Sequence, residues 1–308
     1  MIELSIVIPM YNEQEVLPKL FERLKPCLEA ITKNYEIICV DDGSKDETCT
    51  MLRAYNNFDE RIKVIHLARN FGKEAALTCG IDYSSGQAVI PFDADLQDPP
   101  ELISELVAQW RKGYKVVLAT RRSRETDSWL KRVSSDWFYK LINVVSTVRI
   151  PHHTGDFRLM DGQVVEAVKN LPERTRFMKG IFAWVGFSTT TVYFDREPRA
   201  AGTTTWNYWK LWKFALDGIF SFTSVPLRVW TYVGAFISLV SFLWAIKIIT
   251  RTIIFGIDVP GYASLMVAVL FMGGMQLLSI GIIGEYVGRI YSETKQRPLY
   301  FVEDTVGL

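Results

Sequence analysis

LSIVIPMYNEQEVLPKLFERLKPCLEAITKNYEIICVDDGS, residues 4–44, decides the fold. It opens on a near-continuous apolar run, Leu4–Pro9, and ends on a second, Tyr35–Asp41, with a helical pattern over Glu15–Ala30 between them. Apolar runs of strand length that do not alternate belong to strands covered on both faces, and hence to a largely parallel sheet. The unit repeats outward along the chain. IKVIHL (Ile62–Leu67), AVIPFD (Ala88–Asp93) and KVVLAT (Lys115–Thr120) read as further strands, and Glu47–Tyr55, Lys73–Tyr83, Glu101–Lys112 and Trp129–Val148 as helices. Alternation at this spacing predicts an α/β fold, doubly wound around a mostly parallel sheet. FSTTTVYF (Phe187–Phe194) alternates and predicts an edge or antiparallel strand.

The whole chain has 308 residues, 35 Lys+Arg against 34 Asp+Glu, and a formal charge of +1. That balance excludes a general nucleic-acid binder, which needs a basic excess. With 49% hydrophobic and 22% charged residues, disorder is excluded as well. The average hides a split, with charges crowded into the first two-thirds and apolar runs into the last third. The four cysteines, Cys27, Cys39, Cys49 and Cys79, form no CxxC pair and predict reduced, mostly buried thiols. Neither they nor His66, His152 and His153 have the spacing of a zinc site. MIELSIVIPMYNE does not read as a signal peptide, so the first domain is expected to stay where it is made.

In open α/β sheets, ligands bind beyond the carboxyl ends of the strands. Polar clusters stand at those ends here: Pro9-Met-Tyr11-Asn-Glu13, Asp41-Asp42-Gly43-Ser44, Asp93-Ala-Asp95-Leu-Gln97, and Arg121-Arg122. Asp93 and Asp95 are two apart, so their side chains can share one side of the sheet edge. With the amide oxygen of Gln97 they offer an oxygen-only ligand set suited to Mg²⁺ or Mn²⁺. Such an ion neutralises a leaving diphosphate. No GxxxxGK[ST] or GxGxxG segment is present, so phosphate recognition falls to metal and arginines.

From about Trp206 the character changes. WNYWKLWKFALDGIFSF interleaves aromatics with Lys210 and Lys213, as an interfacial amphipathic helix does. Val229–Ile249 and Gly261–Gly284 are each long and apolar enough to cross a hydrocarbon core of roughly 30 Å. Two spans return the chain to its starting side. Lys210, Lys213, Arg228, Arg289, Lys295 and Arg297 flank the inner ends, against Lys247 and Arg251 outside, which predicts a cytoplasmic first domain. Gly273, Gly274, Gly281, Gly284 and Gly288 permit close helix approach and an oligomer contact. The expected division is a domain over 1–205, an interfacial region over 206–226, a two-span anchor over 227–290 and a cytoplasmic tail over 291–308.

VIPMYNE, VDDGS, DADLQDPPE and TGDFRLM together resemble glycosyltransferase family 2, with its GT-A fold. Arg199-Ala-Ala-Gly202, the two spans and GEYVGRIY (Gly284–Tyr291) extend the resemblance to the bactoprenol (undecaprenyl-phosphate) glucosyltransferases, relatives of the dolichol-phosphate mannose synthases. The resemblance implies that Pro9, Tyr11, Glu13, Val40 and Asp42 hold the nucleotide. It implies Asp95 and Gln97 as metal ligands with Asp93 between nucleotide and metal, Arg121 and Arg199 near the phosphates, and Asp156 as catalytic base. Relatives commonly carry a lysine in a GxSK segment where this chain has Gly202-Thr-Thr-Thr205-Trp206, so that Lys131, Arg132 or Lys210, with Arg199, is implied for the acceptor phosphate, or that contact is absent.

The reaction so implied is inverting transfer of a hexose, glucose, from a UDP-sugar to undecaprenyl phosphate at the bacterial inner membrane, for O-antigen or envelope glycan modification. Mannose or aminoarabinose is the alternative sugar. A processive polysaccharide synthase would show a QxxRW motif and more spans, and neither is found. An inactive scaffold sits poorly with an intact Asp93, Asp95, Gln97 and Asp156.

Overall fold

A computed structural model describes residues 1–122, 154–195 apart from 172, 175 and 177, 225–256 and 261–308. Its centre is an eight-stranded sheet. The strands are β1 (Leu4–Met10), β2 (Tyr35–Asp41), β3 (Ile62–Leu67), β4 (Ala88–Pro91), β5 (Val116–Arg121), β6 (Thr154–Asp161), β7 (Thr189–Phe194) and β8 (Val302–Val306). They lie in the order β7-β5-β6-β4-β1-β2-β3-β8. β1 pairs in parallel with β2 and β4, β2 with β3, and β5 with β7. The order reverses at β1, because β2 and β3 build outward on one side and β4 returns on the other. The loops after β1 and β4 therefore flank the crevice where an open sheet takes its ligand.

The helices of this domain are α1 (Leu17–Ile31), α2 (Thr48–Phe58), α3 (Lys73–Tyr83), α4 (Ile103–Arg111), α5 (Gly162–Lys169) and α6 (Met178–Trp184). α1 buries Leu17, Leu20, Phe21, Leu24 and Leu28, a helical spacing that carries it through Pro26. α3 is buried nearly all round, from Ala76 to Ile81, because it is pressed against β1 and β2. Gly80 makes this approach feasible: a Cβ there would stand 2.2 Å from Val7 Cγ1.

Several expectations change in the structure. The predicted helix over Glu101–Lys112 begins as a 3₁₀ turn, Pro100–Leu102, before α4. Strand β7 is an edge strand of its side of the sheet and runs parallel to β5. TGDFRLMD, read in the sequence only as a motif, is β6, antiparallel to both β4 and β5. Part of the expected tail, 302–306, is β8, which returns to pair antiparallel with β3. The helix expected over Trp129–Val148 and the interfacial helix from Trp206 lie outside the described residues.

Two long helices follow, α7 (Val225–Phe255) and α8 (Tyr262–Thr294). Their apolar stretches, Val229–Phe255 and Ser264–Thr294, are long and apolar enough to cross a membrane, and their most apolar windows hold no buried residue. Trp244, Phe255, Leu265 and Leu277 are all more than half exposed, an arrangement that suits lipid and not water. Beyond α8 the chain is tied back to the domain. Tyr300 Oη donates to Asp82 Oδ2 at 2.7 Å, the Ala68 amide donates to Phe301 O at 2.9 Å, and Arg53 meets Asp304 at 2.6 Å.

Candidate active site

The rim is assembled from four strand ends. After β1, Asn12 adopts a left-handed φ of 55°. Its amide donates to Ser44 Oγ and its Oδ1 accepts from the Lys45 amide, each at 2.8 Å. The Glu13 amide donates to Thr48 Oγ1 at 2.9 Å. The first two rim loops are thus laced together, with Pro9 half-buried opposite Val40, and Tyr11 exposed above them.

Asp42 lies buried at the end of β2, its Oδ1 accepting the Phe71 amide at 2.7 Å and its Oδ2 the Gly72 amide at 2.9 Å. Burial pushes its carboxyl up, the two amides oppose that, and neighbouring Asp41 adds to it. Each oxygen keeps a second lone pair for a ligand. Val40, next to Asp41 in β2, keeps its side chain away from the rim surface. It is fully buried in a cluster with Ile65, Ala76 and Cys79, because β2 is covered on both faces.

After β4 the chain alternates. Phe92, Ala94, Leu96 and Asp98 are buried, whereas Asp93, Asp95 and Gln97 are half-exposed on the other side. Leu96 at φ 55° and the Gln97 amide, donating to Asp95 Oδ1 at 3.2 Å, shape this turn. Two carboxylates and a carboxamide on the accessible side of one loop are a hard oxygen set, which fits Mg²⁺ or Mn²⁺.

Asp156 reaches the same rim for a topological reason. β6 runs antiparallel with Thr154 opposite Thr120, so its first residues stand beside the last ones of β5. Arg121 Nη2 accordingly lies 3.9 Å from where a Cβ on Gly155 would be. Arg158, buried two residues further on, donates from Nη2 to Gly155 O at 2.8 Å and lies 4.4 Å over the Phe182 ring. This fixes the backbone that carries Asp156. The carried-over Lys131, Arg132 and Arg199 lie outside the described residues.

Sequence reasoning missed Lys73, the first residue of α3. Its Nζ is 2.7 Å from Asp93 Oδ1 and 3.0 Å from Asp156 Oδ2. Partial burial works against its charge, but the two carboxylates outweigh that and hold the ammonium protonated above its ordinary range. The available signal was position: NFGK (Asn70–Lys73) follows β3, a strand end with no acidic cluster to attract notice.

A second convergence lies two strands from β4. Asp41, Cys49 and His66 bring one ligand atom each within 4.8 Å of the others. Sequence spacing had suggested no such meeting of cysteine and histidine. Asp41 Oδ2 is 2.7 Å from His66 Nδ1, and its Oδ1 accepts from the Ser44 amide at 3.1 Å, so both its oxygens have protein partners.

A doubly wound sheet with an acidic turn after β4 and an acid from an inserted antiparallel strand is the GT-A arrangement, and the chain belongs to glycosyl transferase family 2, whose model matches residues 5–168. A second model, the GtrB C-terminal hairpin, matches residues 225–290, the two long helices. Among relatives, the chain is 62% identical to an uncharacterized glycosyltransferase of Synechocystis sp., over 100% of this chain and 96% of that one. It is 48% identical to the bactoprenol glucosyl transferase of Shigella phage SfV, over 98% of each. A glucosyl-3-phosphoglycerate synthase from Mycobacterium tuberculosis, solved with Mn²⁺, UDP and glucosyl-3-phosphoglycerate, aligns with a TM-score of 0.48 and 18% identity, over 70% of this chain and 76% of that one.

Proposed function

We propose that this enzyme transfers a hexose, glucose, from a UDP-sugar to undecaprenyl phosphate, with inversion, on the cytoplasmic face of the bacterial inner membrane. The observation that carries this reading is the joining of an acidic rim to two long, exposed apolar helices in one chain. Full-length similarity to a bactoprenol glucosyl transferase supports the choice of sugar and lipid. A polyprenyl carrier cannot leave the bilayer, so its transferase must work at the interface.

Asp93, Asp95 and Gln97 would hold a divalent cation, which supplies charge neutralisation for the departing diphosphate. Pro9, Tyr11, Glu13 and Asp42 bind the nucleotide end of the donor. A phosphate oxygen of the acceptor attacks the anomeric carbon as the bond from that carbon to the diphosphate oxygen breaks, and UDP leaves with the electron pair. The acceptor's second pKa is about 6, so it arrives largely ionised. Asp156 takes the remaining proton when one is present and otherwise orients the sugar. Arg121, with Arg199, Lys131 and Arg132, provides cationic forks and points for the diphosphate and the acceptor phosphate.

Purified protein in nanodiscs, given undecaprenyl phosphate and a panel of labelled nucleotide sugars, should form a single-sugar lipid phosphate of inverted configuration with UDP-glucose. A polymer, or a sugar joined through a diphosphate, contradicts the mechanism. Preference for another sugar would move the donor assignment to mannose or aminoarabinose and leave the acceptor chemistry standing.

A further inference from the structure

Lys73 does more than sit near the acids. Its Nζ approaches both oxygens of Asp93, at 2.7 Å and 2.9 Å, and Oδ2 of Asp156 at 3.0 Å. Asp93 follows β4 and Asp156 lies in β6, so the ammonium bridges acids on neighbouring strands. It comes from a third element, at the start of α3, where Gly72 at φ 99° turns the chain into the helix.

A divalent cation held through Asp93 competes with Lys73 for the same oxygens. It would also attract Asp156, since Mg²⁺ and Mn²⁺ take carboxylate oxygens readily. A base captured as a metal ligand can no longer serve the acceptor. We propose that Lys73 is a positioning residue that keeps Asp156 out of the coordination shell of the metal at Asp93 and Asp95, leaving its carboxylate facing the acceptor. The inference rests on the assignment of the rim acids under the proposed function. An ammonium suits this task because it is a compact point charge that pairs with two carboxylates at once and cannot ligate the metal while protonated.

The consequence is read in the metal affinity and in how far it depends on Asp156. Removing a cation paired to ligand carboxylates favours a metal there by itself, since it frees Asp93; here it also releases Asp156 toward the ion, and that second share depends on the Asp156 carboxylate. Lys73→Met should therefore bind Mn²⁺ about tenfold more tightly than the parent while turning over more slowly. Mn²⁺ binding is read by electron paramagnetic resonance on the full chain in nanodiscs, with no nucleotide sugar or acceptor. Lys73→Gln should behave as Lys73→Met does, which guards against a folding defect in one variant, and Lys73→Arg should stay near the parent. Adding Asp156→Asn to Lys73→Met should give back most of the gain, because the recruited ligand is gone. Mn²⁺ affinity that is unchanged or weaker in both Lys73→Met and Lys73→Gln overturns the proposal, as does a gain that survives Asp156→Asn in full. Asp95→Asn is the control on the rim itself. If it leaves Mn²⁺ binding intact, the metal assignment fails, and that failure is read separately from the Lys73 comparison.

Discussion

Asp95 and Asp156 occupy the same rim, yet the proposed roles give their substitutions different signatures. Asp95→Ala should cut transfer by about 10²–10³-fold, the scale of losing a group that stabilises developing charge, and added Mg²⁺ or Mn²⁺ should not restore it. Asp156→Asn should lower kcat by about 10²–10⁴-fold while KM for the UDP-sugar changes little, since its work lies at the reacting carbon. Steady-state kinetics on both variants separates the two. Asp59 makes a pH-dependent prediction away from the site. Its carboxylate accepts from Arg61 Nε at 2.8 Å and from Arg61 Nη2 at 2.9 Å, and Lys25 Nζ is 2.6 Å away. Arg61 first, and Lys25 after burial has pushed the other way, hold this carboxyl well below the usual carboxylate range. A depressed acid contributes stability above its unfolded value, about 3.9, and loses it as pH falls through the folded value. Asp59→Asn should thus cost about 1–3 kcal/mol at pH 7, with the gap to the parent narrowing well below pH 4 in denaturant titrations.

The packing of α3 on β1 and β2 sets where Lys73 and Asp42 stand. Gly80 lies at that contact, with room for no Cβ beside Val7. Gly80→Ala gains about 1 kcal/mol in helix propensity. Against this, a methyl forced to 2.2 Å from a stiff β-branched side chain must displace helix or strand, and overpacking typically costs about 1–3 kcal/mol. The clash should win, so the variant melts lower. Val7→Ala in the same chain should relieve part of the loss, and a double-mutant cycle would register that coupling. At the opposite edge, β8 covers β3, which would otherwise present an open ladder. Removing residues 299–308 should raise amide exchange along β3 while β1 and β4, inside the sheet, keep their protection. Equal loosening of all three strands would mean that β8 supports the whole domain and not its edge.

Across the whole molecule, two apolar helices separate a charged domain from a C-terminal strand that returns to it. Because β8 pairs with β3, the chain before α7 and the chain after α8 belong to one folded unit and must lie on the same side of a membrane. Single cysteines at Ser44 and Thr305 should therefore react alike toward an impermeant thiol reagent in intact cells, and the cytoplasmic placement proposed above expects both to be protected until the membrane is opened. A cysteine at Phe255, the last residue of α7, should react from outside. Labelling of positions 44 and 305 from opposite sides would be incompatible with the sheet itself.

The alternation of apolar strands with helical patterns was legible in the residues, because burial on both faces leaves a local signature that needs no knowledge of partners. β1, β2 and β3 and helix α3 fall close to where that signature puts them. The acidic cluster after β4 stood out in the sequence too, but the chain leaves the strand at Pro91, so the alternate burial of residues 92–98 comes from the turn itself and not from strand period. Strand partnership was not legible. Nothing local in TGDFRLMD says that it inserts antiparallel between β4 and β5, and only that insertion delivers Asp156 to the rim. Nothing in VEDTV says that it crosses back from the far side of two long helices to close the β3 edge. Lys73 shows the same limit at one residue: its meaning lies in two carboxylates 20 and 83 positions away. The chain encodes its elements by periodicity over a few residues, whereas pairing between distant strands is decided by the closure of the sheet, and the site is made where those strands end.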